Sequence, residues 1–329
     1  MIGYYIHHHG FGHLARATSI CAQLQRPVTA LTSLKINGAH PFSAIVELPR
    51  DDQSEQVREP TAHGALHWAP HHDPGFTARM KAIADWVADA QPEVVVVDVS
   101  VEVAMFVRLL GTPVVVVALP GKRTDAPHLL VHRIADHILA AWPKALCVPA
   151  WLKQYDDKTS YVGGISRFEG RRPGPKTADD GRVLVLCGTG GDFGSGCSST
   201  IPGWTWMTLG GSNGSWKDDP WPEIRAAEVV VTHAGQSCVA DIAAAQRPAI
   251  VIPQARPFDE QQATAMMLRR HQLAVVAQDW PDERAWPALL THARARNPQR
   301  WQRWQVDGAA QRAANAIEST ALRCRAPTR

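Results

Sequence analysis

The chain lacks any run approaching the ~18 consecutive apolar residues of a membrane-crossing helix, and its longest valine run stops at Asp98. Its start, Met1-Ile2-Gly3-Tyr4-Tyr5-Ile6-His7, has neither the basic opening nor the apolar stretch of a secretory signal, so export is not expected. Cys-x-x-Cys is also missing. Cys21, Cys147, Cys187, Cys197, Cys238 and Cys324 are scattered, which argues against a disulfide frame or a cysteine zinc site and for reduced thiols in a cytoplasm. Charge of one sign is scarce: 34 Lys+Arg against 31 Asp+Glu leave +3, too little to point to nucleic acid. What remains is a globular balance, 45% hydrophobic and 20% charged over 329 residues, long enough for about two domains.

Short β-branched runs alternate with amphipathic stretches. Met1–Ile6, Val28–Leu31, the 93–98 run and the 113–118 run read as strands, the last two apolar throughout, as strands buried on both faces by helices must be. Leu14–Gln25 and Val101–Leu110 carry helical spacing, and Gly111-Thr112-Pro113 stops the second. The second half repeats this grammar, with strands at Arg182–Cys187, Glu228–Thr232 and Ala249–Pro253 and a helix at Ser237–Ala245. The expected class is α/β, two doubly wound domains in tandem. Their expected bounds are 1–166 and 182–306, joined by a Gly-, Pro- and charge-rich linker at 167–181 and followed by an Ala-rich helical segment at 307–329.

After the first strand, Gly10-Phe11-Gly12-His13-Leu14-Ala15 has the outline of a dinucleotide fingerprint. That fingerprint requires an acid about 20 residues on. No Asp or Glu occurs before Glu47, and Arg16, Arg26 and Lys35 occupy the span instead. The turn therefore serves another purpose: Gly10 and Gly12 let a helix approach the strand and place His13 at its start. The helix dipole there disfavours an imidazolium. A neutral His13 can act as general base toward a hydroxyl; it can equally be a plain helix-start residue. Asp98, where the valine strand ends, can orient His13 through its other ring nitrogen, or be a solvated acid or the partner of a nearby arginine; Glu102 is a second candidate. His7, His8 and His9, read as part of a strand, alternate faces and cannot converge on a metal, so no metal is expected.

In the second half, a buried strand delivers a turn at His233-Ala234-Gly235-Gln236-Ser237, where a helix begins. Its free N–H groups and dipole suit a phosphate. Gly235 permits close approach, Gln236 and Ser237 add donors, and Asp241, one turn on, can accept from ribose hydroxyls. Asp259, Glu260 and Gln261 follow the next strand and suit sugar hydroxyls. For Asp259 the alternative is concrete, a capping box with Gln262; for Asp241 it is a surface helix acid.

This ordered set resembles the donor signature of the GT-B glycosyltransferases, the MurG-like and UDP-glycosyltransferase families, and Gly10-Phe11-Gly12-His13 resembles their N-terminal turn. The resemblance covers both halves and implies two Rossmann-like lobes facing across a cleft. It implies that His13 deprotonates the acceptor with Asp98 as its partner. By the same likeness His233, Gln236 and Ser237 meet the diphosphate, Asp241 the ribose, and Asp259, Glu260 and Gln261 the sugar. Gly190 and Gly191 resemble the family loop that approaches the donor phosphates, and the closing helix would return to the first lobe. Gln236 and Asp241 depart from the usual Asn or Thr and Glu. The base-contacting segment would lie near Trp204–Asn213, where a Trp could stack on the base. The implied activity is inverting, metal-independent sugar transfer from a nucleotide-diphosphate donor, UDP being the family's usual choice, to an unidentified hydroxyl, with no cofactor. A nucleotide-sugar hydrolase and an inactive nucleotide-sugar-binding partner are the alternatives. The basic tract Arg294–Trp304 is either a solvated face or a peripheral contact with an anionic membrane.

Overall fold

A computed structural model describes residues 1–172, 181–188, 193, 201–211 and 214–325. Gly190 and Gly191, and most of the expected linker, lie outside the described residues. The first lobe holds strands β1 (Ile2–Ile6), β2 (Val28–Thr32), β3 (Ala44–Glu47), β4 (Val94–Asp98), β5 (Val114–Ala118), β6 (His137–Ala140) and β7 (Thr159–Tyr161). They form one parallel sheet in the order β3-β2-β1-β4-β5-β6-β7. The second lobe carries β8 (Arg182–Leu186), β9 (Thr205–Leu209), β10 (Val229–Thr232), β11 (Ala249–Val251) and β12 (Val275–Val276), parallel in the order β12-β11-β10-β8-β9. The chemical-pattern reading of a doubly wound α/β protein holds.

Both sheets reverse their winding once, between β1 and β4 and between β8 and β10. Crevices open beyond the strand ends at such switch points. The valines of β4 and β5 are buried because helices cover both faces: α1 (Phe11–Cys21) lies on one side, α2 (Pro74–Ala90), α3 (Val101–Leu109) and α4 (Ala126–Ile134) on the other. Local chemistry sets these helix starts. Asp73 caps α2 by accepting from Phe76 N at 2.6 Å, and Ser100 caps α3 by accepting from Val103 N at 3.1 Å.

The second lobe's helices are α6 (Trp221–Ala226), α7 (Gln236–Ala245), α8 (Glu260–Arg270) and α9 (Trp286–Arg294), after the short α5 (Ala150–Lys153) of the first. The last helix, α10 (Ala309–Arg323), buries Ala309, Ala313, Ile317 and Ala321 with Ala17 and Ile20 of α1, on the first lobe. Small side chains let the two helices approach closely. Glu169, in the crossing between lobes, accepts from Gly308 N at 2.6 Å and Ala310 N at 3.3 Å, satisfying the free donors at the start of α10. Arg312 donates twice to Val162 O, at 2.9 and 2.7 Å.

The tract 294–304 turns its aromatics inward. Trp301 and Trp304 are 2% and 1% exposed, and Trp301 Nε1 donates to Arg247 O at 2.8 Å. Packing of the two lobes claims these rings, so they offer nothing to a bilayer. Among the described residues no helix is long and apolar enough to cross a membrane. Because Ala313 is fully buried against α1, Ala313→Leu should overpack that seam and cost about 1–3 kcal/mol; differential scanning calorimetry checks this as a lowered Tm.

Candidate active site between the lobes

The first glycine turn leaves β1 at Ile6, and Gly10 takes a left-handed φ of 93° that sets the start of α1. His13 is the third residue of that helix. Asp98, paired with Ile6 in register at the end of β4, has no exposed surface. His13 Nδ1 lies 3.1 Å from Asp98 Oδ1. A carboxylate only accepts, so with the ring proton on Nδ1 this contact is a hydrogen bond and Nε2 keeps its lone pair; the Arg16 Nη2 donor lies 3.1 Å from the same Nδ1.

Arg16 completes the group. Its Nε donates to Asp98 Oδ2 at 3.0 Å and its Nη2 to Oδ1 at 2.7 Å. Burial by itself would raise the Asp98 pKa, but Arg16 and then His13 outweigh it and hold the carboxyl well below the usual range. The sequence allows an arginine partner for Asp98 but does not single out Arg16 for it. Its spacing of three from His13, the same face of α1, was the available signal. Val99, just after Asp98, sits at φ 65°, a strained conformation for a β-branched residue and one found where a site over-determines the backbone.

The second turn meets the first. Arg16 Nη1 donates to Gln236 Oε1 at 2.8 Å, and Ser237 Oγ donates to Gly12 O at 3.3 Å. A Cβ on Gly12 would lie 3.0 Å from Ser237 Oγ, so a side chain there would press on the hydroxyl that joins α1 to α7. Gln236 and Ser237, expected on a diphosphate, here spend their side-chain oxygens on the first lobe; the backbone N–H groups at the start of α7 remain. Gly235 faces open space. His233 is buried, its Nδ1 donates to Ile252 O at 3.1 Å, and Phe193 stacks on it with ring centres 3.7 Å apart. With the proton on Nδ1, the ring could donate to a phosphate only as imidazolium.

Beside this junction the first lobe holds a cavity of about 600 Å³. Its walls include His7, His67, Trp68, Met80, Val101 and Phe258. His7 has its ring centre 5.8 Å from that of His13, and burial, then the neighbouring histidines, push its pKa down to about 3.

Residues 216–280 match the glycosyltransferase family 28 C-terminal domain. The whole chain is similar in structure to MurG of Acinetobacter baumannii (13% identity, 97% of this chain and 99% of that chain, TM-score 0.61). It is similar to CalG4, the calicheamicin glycosyltransferase (18% identity, 98% of each chain, TM-score 0.63). It is also similar to UGT89C1 of Arabidopsis thaliana, solved with UDP (11% identity, 97% of this chain and 99% of that chain, TM-score 0.67). The chain has the GT-B fold of these glycosyltransferases. No curated protein matches it by sequence.

Several residues of this GT-B-fold chain stand away from the roles expected of them. Asp241 is 4% exposed, and its two oxygens accept from Ser166 Oγ at 2.7 Å and Arg167 Nε at 3.1 Å; it braces the crossing between lobes, and is neither a surface acid nor turned to an open groove. Asp259 and Glu260 pair with Lys122 at 2.8 Å and Arg123 at 3.4 Å, both in the first lobe, because the loop after β11 docks on the loop after β5. The capping box is absent as well: Asp259 is left-handed and makes no side-chain cap bond. Gln261 is buried, its Oε1 accepting from Ala234 N at 3.1 Å and Gln254 N at 3.0 Å, so it shapes the α7 turn from behind. Glu102 accepts from His67 N and Trp68 N at 2.7 and 3.0 Å, holding a cavity loop. Trp206 packs on Trp280 and Trp286 in the core.

His7, His8 and His9 do not alternate faces as a strand would have them, because β1 ends at Ile6 and the three residues bend. His8 Nε2 and His9 Nε2 both reach Asp52 Oδ2, at 3.3 and 3.2 Å, and His67, Asp125 and His128 form a second such cluster. Each has the ligand types of a metal site, and each has a guanidinium group in contact with one or more of its members. Arg50 holds Asp52 through Nε at 2.8 Å, Arg79 lies 3.4 Å from His8 Nδ1, and Arg123 lies 3.2 Å from His128 Nε2. A ligating imidazole donates its second N–H to an acceptor, and an arginine there opposes a cation.

Burial raises the Asp241 carboxyl from 3.8 to about 6, although Arg167 and Ser166 pull it down. Between those values the folded protein binds the proton more tightly than the unfolded chain, so stability falls as pH rises through that window and levels off above it. The full effect is on the order of 3 kcal/mol. In thermal melts from pH 3.5 to 7, Asp241→Asn should gain Tm relative to the parent across the window; a constant offset would count against it.

Proposed function

We propose that this chain transfers a sugar from a nucleotide-diphosphate donor, UDP-linked, to a hydroxyl of a small acceptor seated in the first-lobe cavity, with inversion and without a metal. The observation that carries this reading is one connected group, His13–Asp98–Arg16, touching the start of α7 through Gln236. A candidate base and a candidate diphosphate site are thereby neighbours.

In this reading His13 Nε2 takes the proton of the acceptor hydroxyl as that oxygen attacks the anomeric carbon. The bond from that carbon to the phosphate oxygen breaks on the opposite face, so one displacement inverts the centre. The nucleoside diphosphate leaves with the bonding pair, and the backbone N–H groups at the start of α7 meet its growing charge, the work a metal does in other folds. Asp98 keeps the Nδ1 proton in place and stabilises the imidazolium that forms. UDP is supported by the usual choice of the resembled families and by the similar structure solved with UDP. Freedom from metal is supported by the arginines that contact both His/Asp clusters. The same reading has the chain working in the cytoplasm, supported by its scattered cysteines.

Calorimetry with UDP and dTDP should show UDP binding more tightly. His13→Ala should leave that affinity unchanged and lower transfer by about 10²–10⁴-fold; full activity in this variant would remove His13 from the chemistry. Turnover should survive an excess of EDTA. Consumption of UDP-sugar that needs no acceptor, followed by NMR, would favour hydrolysis in place of transfer.

A further inference from the structure

His7 is a wall residue of the first-lobe cavity, whereas His13 is not, yet their ring centres stand 5.8 Å apart. An acceptor hydroxyl reaching from the cavity toward His13 meets His7 on the way. What His7 can offer it depends on where the His7 ring carries its proton.

Local geometry fixes that position. β1 ends at Ile6, and in the bend that follows His9 N donates to His7 Nδ1 at 3.1 Å. A backbone N–H only donates, so Nδ1 presents its lone pair and the ring proton of His7 lies on Nε2. Burial, which opposes the charged ring, and the neighbouring His13 keep His7 neutral, with its pKa lowered to about 3. The Nε2–H donates to no group among the described residues. His8 stacks on the His7 ring with centres 4.9 Å and planes 11° apart, and His8 is itself held on Asp52 at 3.3 Å. The donor is therefore in place before any ligand arrives.

This arrangement rules His7 out as a rival base, because its one lone pair is spent on its own chain. It leaves a neutral donor beside the ring proposed as base. A hydroxyl oxygen has one proton and two lone pairs. The proton can go to His13, one lone pair can accept from His7, and the second stays free for a carbon. Two hydrogen bonds of about 2.9 Å meeting at one oxygen hold their nitrogens about 5 Å apart, a span that two rings at this separation can bracket. A primary amine has a single lone pair, and accepting from His7 would occupy the pair it needs for attack.

Resting on the reading that His13 is the base, we propose that His7 is a second catalytic residue. Its Nε2–H holds the attacking oxygen, leaves the other lone pair aimed at the anomeric carbon, and makes the site select hydroxyl over amine nucleophiles. In the step, that free pair forms the bond to the anomeric carbon and the hydroxyl proton passes to His13 Nε2. The bond from the carbon to the phosphate oxygen breaks, its pair leaves with the nucleoside diphosphate, and His7 keeps its own proton.

The test has two arms, both on the full chain. With isotope-labelled histidine, long-range proton–nitrogen NMR spectra at neutral pH should show His7 protonated on Nε2, its signals assigned by their loss in His7→Gln. Phenol and aniline, similar in size and both uncharged at neutral pH, then serve as acceptor probes with a panel of UDP-sugars, and transfer is read by mass spectrometry. The parent should prefer phenol. His7→Phe should lower the phenol-to-aniline rate ratio by about ten-fold or more, through a slower phenol reaction. His7→Gln, whose amide keeps an N–H donor, should restore most of that ratio, and UDP affinity by calorimetry should be the same in all three. A His7 proton on Nδ1, a ratio unchanged in His7→Phe, or an equal fall in His7→Gln overturns the proposal. So does a parent that prefers aniline or transfers to neither probe. In each case donor turnover that is lost in His13→Ala leaves the reading of His13 standing, whereas full turnover in His13→Ala defeats that reading by itself.

Discussion

A carboxylate with no surface in water must be given a counter-charge inside the protein, and Asp98 is that carboxylate. Arg16 supplies the charge through two hydrogen bonds. Such a buried pair adds little net stability, since desolvating both ions offsets their attraction. Its consequence here is orientation. With both oxygens of Asp98 committed, the His13 ring is fixed by its Nδ1 contact, and the remaining Arg16 nitrogen extends the network to Gln236 in the opposite lobe. The meeting of the two glycine turns, the path between lobes and the aim of His13 all hang on this pair.

Strain gathers around the same region. Val99 follows Asp98 directly and lines the cavity, as does Phe258, and Asp259 comes next. Left-handed backbone at a valine, a phenylalanine and an aspartate is held there by the rest of the fold. The clasp between Gly121–Arg123 and Phe258–Glu260 is one such restraint. It also means that the loop expected to read a sugar touches the wall of the opposite lobe's cavity. The two halves of the cleft are therefore mechanically joined in this structure.

Legibility in the sequence followed the range of the interactions. The valine runs of β4 and β5, the breakers around them and the helical stretch between could be read directly, because strand and helix patterns are set by near neighbours. His13 and Asp98 were legible as candidates because each ends or follows a readable element. The histidine triplet was misjudged by one boundary: extending β1 past Ile6 puts alternate rings on opposite faces, whereas the bend gathers them on Asp52. Asp241 shows the same limit in another form. Its place on the first face of α7 was readable, but not that Ser166 and Arg167 would arrive from 75 and 74 residues upstream to cover it.

The sequence by itself determined the alternation of elements, the two glycine turns and the residues standing at them, since these depend on turn chemistry and short-range periodicity. Only the tertiary structure decided which of those residues face one another. Arg16 lies 220 residues from Gln236, and Phe258 enters a cavity built by the other lobe. Contacts of that separation leave no local pattern, because each partner looks like an ordinary helix or loop residue until the sheets bring their switch points together.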